Sequence, residues 1–441
     1  MNNYQPLRKC ISINEKVLII WGADNFSQFP RRDTSIHSKC DRTLPVACQN
    51  DVVVLRGKLD IDYRNWLHSF GLGPGHVVQY KVQSRKMTLS ECILDNPKPI
   101  KRIIQETGRK PLYVPWFSGA METDAAEVLG AELFGASESA TIKYNDKASF
   151  KILCRQLDIP VVGGDLFTMH PENRQNCRDM KEIVKHCLTT HKTAIIRGTL
   201  GEAGMSLYKS NGKDISNLYR QIATSGEKEV LIEPFLDVVS SPNDQWVIGR
   251  DGEITHIGMR NQICEKGMVH IGTIKGRKNP PDVSKYITET SLKIVNNMAE
   301  FGYIGVIGID YIVTDDGIFP IENNARFNGS SYVSMIVDNI EKLTSPIPCW
   351  KFIKIKTAAC TFLELTERIK PILYDGNKLD SVFPFNCDTL PMSGDFAVIL
   401  LAENMDMISS MEKSLKMMGG RRDYVGRYQP ERERGRATLT L

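Results

Sequence analysis

No two of the eleven cysteines form a C-x-x-C pair, and their number is odd. That spacing excludes a zinc ribbon and fits poorly with a disulfide framework. The thiols read instead as reduced, mostly buried small apolar side chains. No stretch approaches the ~20 apolar residues of a membrane span, and the opening MNNYQPLRKC lacks the apolar centre of a signal peptide. The cytoplasm is the expected compartment, and no membrane partner is expected. Charge of one sign is scarce as well: 56 basic against 52 acidic residues leave a net charge of +4, too even a balance to predict a nucleic-acid partner. A P-loop of the form G-x-x-x-x-G-K-[ST] is missing, and so is any internal repeat. What remains is an ordinary globular composition, 41% hydrophobic and 24% charged over 441 residues, long enough for about three compact units.

The chain reads as α/β at its start. Val17-Leu18-Ile19-Ile20-Trp21 is a short apolar run closed by Gly22 and Asp24, the pattern of a buried strand. Pro99 to Ile104 suits a helix start, Leu112-Tyr113-Val114 a strand, and Ala125 to Phe134 a short amphipathic helix. A first boundary falls near Ala136. Asn145 or Asp146 can cap a helix over Lys147–Leu157. A further helix covers Arg178–Leu188, followed by a strand Thr193–Arg197, a glycine loop and a strand Met205–Lys209. Val230 to Leu236 is a strand or connector, and Trp246–Ile257 turns as a hairpin at Arg250-Asp251-Gly252. Ser291–Phe301 is helical, and Ile304–Val313 with Ile318–Asn324 is a second hairpin. From about Pro346 strand and helix signals alternate until an arginine-rich tail.

Two stretches carry chemistry. Asp310 stands inside the run Gly305–Val313, where an unsatisfied carboxylate is expensive. A three-residue loop Asp315-Asp316-Gly317 places Asp310 directly opposite Glu322, with Asn324 and Arg326 continuing along the same face. Two opposed carboxylates and an amide oxygen form a hard site suited to Mg²⁺. The alternative is a two-residue turn, which throws the carboxylates onto opposite faces, or a solvated hairpin face; Pro320, which cannot donate to a ladder, also counts against the paired strand. The second stretch, Ala194 to Leu207, holds glycines at 198, 201 and 204 whose N–H groups can converge on phosphate. A plain hairpin tip has the same composition. Arg197 at its base is either a phosphate contact or a surface arginine.

The order of these pieces resembles the ATP-grasp ligases over roughly residues 100–335. The matching elements are Lys147 opening a helix, Arg197 ending the strand before the glycine loop, and Leu231-Ile232-Glu233-Pro234-Phe235-Leu236. Asp310 and the E-x-N-x-R run Glu322-Asn323-Asn324-Ala325-Arg326 complete the set. The resemblance implies an α/β fold with α+β lobes, in which a Rossmann-like pre-ATP-grasp unit over 1–136 precedes the ATP-grasp domain over 137–345. Its lid lobe would cover about 147–232 and its metal-binding lobe about 233–345, with a small C-terminal unit and basic tail over 346–441. It assigns ATP binding to Lys147, Arg197, Gly201, Glu233 and Leu236, and one or two Mg²⁺ (or Mn²⁺) to Asp310, Glu322 and Asn324. Arg326, Arg260 and Lys275 would serve the reacting groups, with Gln262 beside them. One departure is Arg197, where the family usually has lysine; the two cations differ in geometry.

The implied activity is carboxylate–amine ligation through an acyl phosphate, with small amino-acid or peptide substrates and a homodimer as the expected assembly. The run Phe327 to Tyr332 does not look like the biotin carboxylase branch, and Arg109 to Trp116 is loosely similar to the pre-ATP-grasp segment of stand-alone peptide ligases. Three alternatives stay open: a nucleotide-pathway ligase, a non-catalytic nucleotide-binding relative, and a macromolecule modifier using the basic tail.

Overall fold

The computed structural model describes residues 7–12, 16–24, 40–81, 87–200, 206–265, 269–377, 379–419 and 421–422. Gly201 and most of the arginine-rich tail lie outside the described residues. The apolar run near the start forms the centre of a parallel sheet made of β1 (Val17–Gly22), β2 (Val52–Arg56), β3 (His76–Tyr80), β4 (Lys110–Pro115) and β5 (Glu132–Leu133), in the order β3-β2-β1-β4-β5. β2 is buried at every position, as expected where helices cover both faces of a parallel sheet. The helix expected over Ala125–Phe134 runs instead from Ala120 to Leu129. Gly130, at φ +64°, stops it in a left-handed cap, and Glu132–Leu133 becomes the edge strand.

A four-stranded antiparallel sheet follows: β6 (Asp165–Thr168), β7 (Ala194–Gly198), β8 (Leu207–Ser210) and β9 (Glu229–Pro234), in the order β6-β9-β7-β8. It has its own small core, including Phe167, Met180, Val184, Ile196, Ile222 and Ile232. The helix Lys147–Gln156, capped by the Asp146 carboxylate on Ser149 N–H, packs its Phe150, Leu153 and Cys154 against the third sheet.

The third and largest sheet holds β10 (Pro242–Ile248), β11 (Ile254–Glu265), β12 (Val269–Lys275), β13 (Gly305–Thr314), β14 (Gly317–Asn324), β15 (Cys349–Lys356), β16 (Ser381–Phe385), β17 (Asp395–Ala402) and β18 (Arg421–Arg422). Its order is β14-β13-β10-β11-β12-β15-β17-β16, with β18 also on β15. The strands beyond residue 346 therefore extend the central sheet through the β12–β15 pairing. They share one hydrophobic core with the N-terminal sheet, where Trp66 meets Phe362 and Phe383. Among the described residues, no helix is long and apolar enough to cross a membrane.

Candidate active site

The hairpin β13–β14 sets the geometry. Its turn spans two residues, Asp315 and Asp316, because Thr314 pairs with Gly317. That register alone would place Asp310 and Glu322 on opposite faces. A bulge restores the phase: Tyr311 pairs with Pro320 and Asp310 with Glu322, which leaves Ile321 as the extra residue. The expected opposition of the two carboxylates is present, but it arises from the bulge rather than from a three-residue loop. Pro320 stands beside the bulge, where a missing N–H is tolerated.

The bulge also links two sheets. Arg197 at the end of β7 donates from Nη1 to the carbonyl oxygen of Ile321 at 2.9 Å, and from Nε to Glu233 Oε2 at 2.8 Å. Glu233 on β9 accepts in addition from Lys151 Nζ at 2.5 Å. Burial pushes the Glu233 carboxyl up, but Arg197 and Lys151 outweigh it and hold the group below its usual range. Burial pulls Lys151 down in turn, and Glu233 offsets part of that. Lys147 pairs with Glu322 Oε1 at 3.1 Å, and its backbone N–H donates to Thr199 O at 2.8 Å, tying the helix start to the glycine loop. Gly198, at the base of that loop, has no room for a side chain: a Cβ would lie 2.5 Å from a Glu227 carboxylate oxygen.

Across the central sheet, Arg260 pairs with Asn243, Asn243 with Asp310, and Asp310 with Glu322. Paired residues share a face, so one row of side chains crosses four strands. Asp310 Oδ1 accepts from Asn243 Nδ2 and from Gln262 Nε2, each at 2.6 Å, and its Oδ2 from Asn324 Nδ2 at 3.0 Å. Burial and the facing Glu322 raise the Asp310 carboxyl to about 7, and the three amide donors pull it back only partly. Gln245 continues the chain by donating to Asn243 Oδ1 and Asn328 Oδ1. Among the described residues no three His, Cys, Asp or Glu side chains are grouped to hold a metal. The oxygen set is thus two carboxylates and the Asn324 amide.

The site residues expected from the sequence fall into three groups. Lys147, Arg197, Glu233, Asp310, Glu322 and Asn324 are joined by the contacts above, and Leu236 follows β9 half-buried. Arg260 is buried on β11 with Nη1 on Ile257 O, while Lys275 closes β12; both act electrostatically on Asp338 of the helix Gly329–Leu343. Arg326 lies 5.0 Å over the Trp116 ring and lines a small cavity with Trp116, Ser118 and Tyr303, against the N-terminal sheet. Lys151, Asn243, Gln245 and Asp338 escaped the sequence reading. Lys151 had a signal, a second lysine one turn after Lys147 on a helix whose other inward residues are apolar.

Residues 176–324 match the family model of the L-aspartate–L-methionine ligase ATP-grasp domain. The chain has an ATP-grasp fold. Its matched segment runs from the helix Arg174–Cys187 through both hairpins to Asn324. Over 237 residues the ATP-grasp chain is 24% identical to the carbamoyl phosphate synthase large chain of Rubrobacter xylanophilus, covering 53% of this chain and 21% of that one. The corresponding large chain of Archaeoglobus fulgidus is 25% identical over 299 residues, 66% of this chain and 25% of that one. The chain thus spans about a fifth to a quarter of these relatives' length. In fold it is similar to the biotin carboxylase domain of Hydrogenobacter thermophilus 2-oxoglutarate carboxylase, solved with MgADP and bicarbonate (TM-score 0.59, 13% identity, 91% and 89% coverage). It is similar also to Staphylococcus aureus N5-carboxyaminoimidazole synthetase with ADP (TM-score 0.56, 12% identity, 91% and 96% coverage).

Proposed function

We propose that this protein joins an amino-acid carboxylate to an amine at the expense of ATP, with aspartate as acyl donor and methionine as acceptor the first pair to try. The observation that carries the reading is the Asp310–Glu322 pair. Two opposed carboxylates, one of them buried, face a cleft whose cations come from the lid sheet and its preceding helix. Such a pair repels itself unless a cation lies between, and an all-oxygen set suits Mg²⁺, which completes its shell with water and phosphate oxygens. Asp310, Glu322 and the amide oxygen of Asn324 would hold that ion, whose contribution is to neutralise phosphate charge.

The chain's own residues do the rest. Lys147 and Arg197 face the phosphates, while Glu233 holds Arg197 and Lys151 in place. Leu236 and the backbone after β9 border the adenine. A substrate carboxylate oxygen attacks the γ-phosphorus, the bond to the β-phosphate oxygen breaks, and ADP leaves. The amine nitrogen then attacks the acyl carbon, giving up a proton and expelling phosphate. Arg326 and Arg260 sit on the sides from which the acyl group is reached. Excluding water keeps the acyl phosphate from hydrolysis. Phosphate release from MgATP should require both amino acids and match the peptide formed. Release that ignores added amino acids, or none with any acid–amine mixture, contradicts the proposal.

A further inference from the structure

The helix Gly329–Leu343 turns Ser330, Ser334 and Asp338 to one side, since they recur every fourth residue. A hydroxyl contact of 2.9 Å between Ser330 and Thr273 seats that side on the central sheet. The sheet face beneath carries Thr273 and Lys275 of β12 in phase with Gln262, which pairs with Thr273, and with Arg260. This layer contains polar atoms that the protein leaves unanswered. Asp338 is 8% exposed, and its Oδ2 has no hydrogen-bond partner among the described residues. The Ser334 hydroxyl has no partner either, and nearer Asp310 the same holds for Gln245 Oε1 and Asn328 Nδ2. Buried polar groups in native proteins are nearly always satisfied, so a run of exceptions beside a reaction site points to a missing ligand.

We infer that Asp338 receives the α-ammonium group of the amino acid whose carboxylate is phosphorylated, with the Ser334 hydroxyl beside it. The inference rests on the ligase reading above and names which end of the substrate this layer recognises. A desolvated carboxylate calls for a cation. A metal is disfavoured, because no group of metal-ligating side chains surrounds it among the described residues. Arg260 and Lys275 act on Asp338 through their charge, and they supply the positive side that an amino acid's own carboxylates need. The acyl donor fits better than the acceptor. An acceptor amine must lose its proton to attack, and a buried carboxylate would hold that proton on; the donor's ammonium stays charged throughout.

The test uses hydroxylamine as the nucleophile, so that only the acyl donor is interrogated. Hydroxamate formation is measured for L-aspartate and for succinate, which lacks the amino group, with wild-type protein, Asp338→Asn and Ser334→Ala. The wild type should prefer aspartate in kcat/KM. Asp338→Asn should lower the aspartate-to-succinate ratio roughly 10- to 100-fold through KM for aspartate, as expected for losing a charged hydrogen bond. Ser334→Ala should lower it less. A loss shared equally by the two acids, or an unchanged ratio, overturns the inference while leaving the ligase reading intact. Should the wild type yield no hydroxamate with either acid, the ligase reading itself falls and the inference with it.

Discussion

Glu233 shows how the site is held at the level of single residues. Its carboxylate is the shared partner of Lys151 and Arg197, all three buried. Glu233→Ala leaves two cations without their counter-ion, a change that costs about 3–5 kcal/mol in buried networks; the urea unfolding midpoint should drop accordingly. A second buried acid lies far from the cleft in the N-terminal unit. Burial pushes Glu122 from its ordinary 4.5 up to about 7, with the Ser90 hydroxyl only partly opposing it. At pH 5–6 the folded chain keeps this proton and the unfolded chain does not, so stability falls as pH rises from about 4.5 to about 7 and then levels. Each pKa unit is worth about 1.4 kcal/mol. Glu122→Gln should flatten that slope by roughly 2–3 kcal/mol, read as denaturation midpoints at pH 5 and 7.5. An unchanged slope would mean Glu122 ionises normally in the fold.

At the scale of elements, the hairpin β13–β14 explains both the success and the error of the sequence reading. The carboxylate pair was legible because a charged residue in so apolar a strand needs a partner. The bulge was not, since Ile321 has no composition that marks it and only the pairing on both sides exposes it. The same applies to Asn243 and Gln245: β10 reads as an ordinary strand, and their role comes from lying beside β13. Helix ends were legible where a cap or a glycine stood, as at Asp146. The shifted helix Ala120–Leu129 shows the converse, an apolar pattern running past the Gly130 stop. Gly308 tests the arrangement. It pairs with Asn324, and a Cβ there would lie 2.4 Å from Asn328 Nδ2 and 3.1 Å from Asn243 Nδ2. Gly308→Ala should therefore disturb the amides that hold Asp310, lowering kcat/KM for MgATP at least tenfold with a far-UV spectrum close to wild type.

For the molecule as a whole, the length suggests about three compact units, and the described residues form three sheets. How the C-terminal fifth attaches could not be read from the sequence, because β12 and β15 are far apart in the chain and no local pattern records their pairing. β15 adds to the central sheet, and its neighbours pack with the N-terminal sheet in one core. Removing everything after Ser345 would strip β12 of its β15 partner and open that core. The truncated chain should fail to fold cooperatively, seen as a lost thermal transition; a well-folded 1–345 fragment would contradict a shared core.

The proposed reaction rests on one intermediate, and oxygen transfer tests it most directly. With L-aspartate carrying ¹⁸O in its carboxylates, the protein, MgATP and methionine should return phosphate that contains one labelled oxygen for each peptide formed. Glu322→Gln, folded but missing one of the opposed carboxylates, should return almost none. Peptide formed with unlabelled phosphate, or labelled phosphate at wild-type rate from Glu322→Gln, would contradict the acyl phosphate and the site assigned to it.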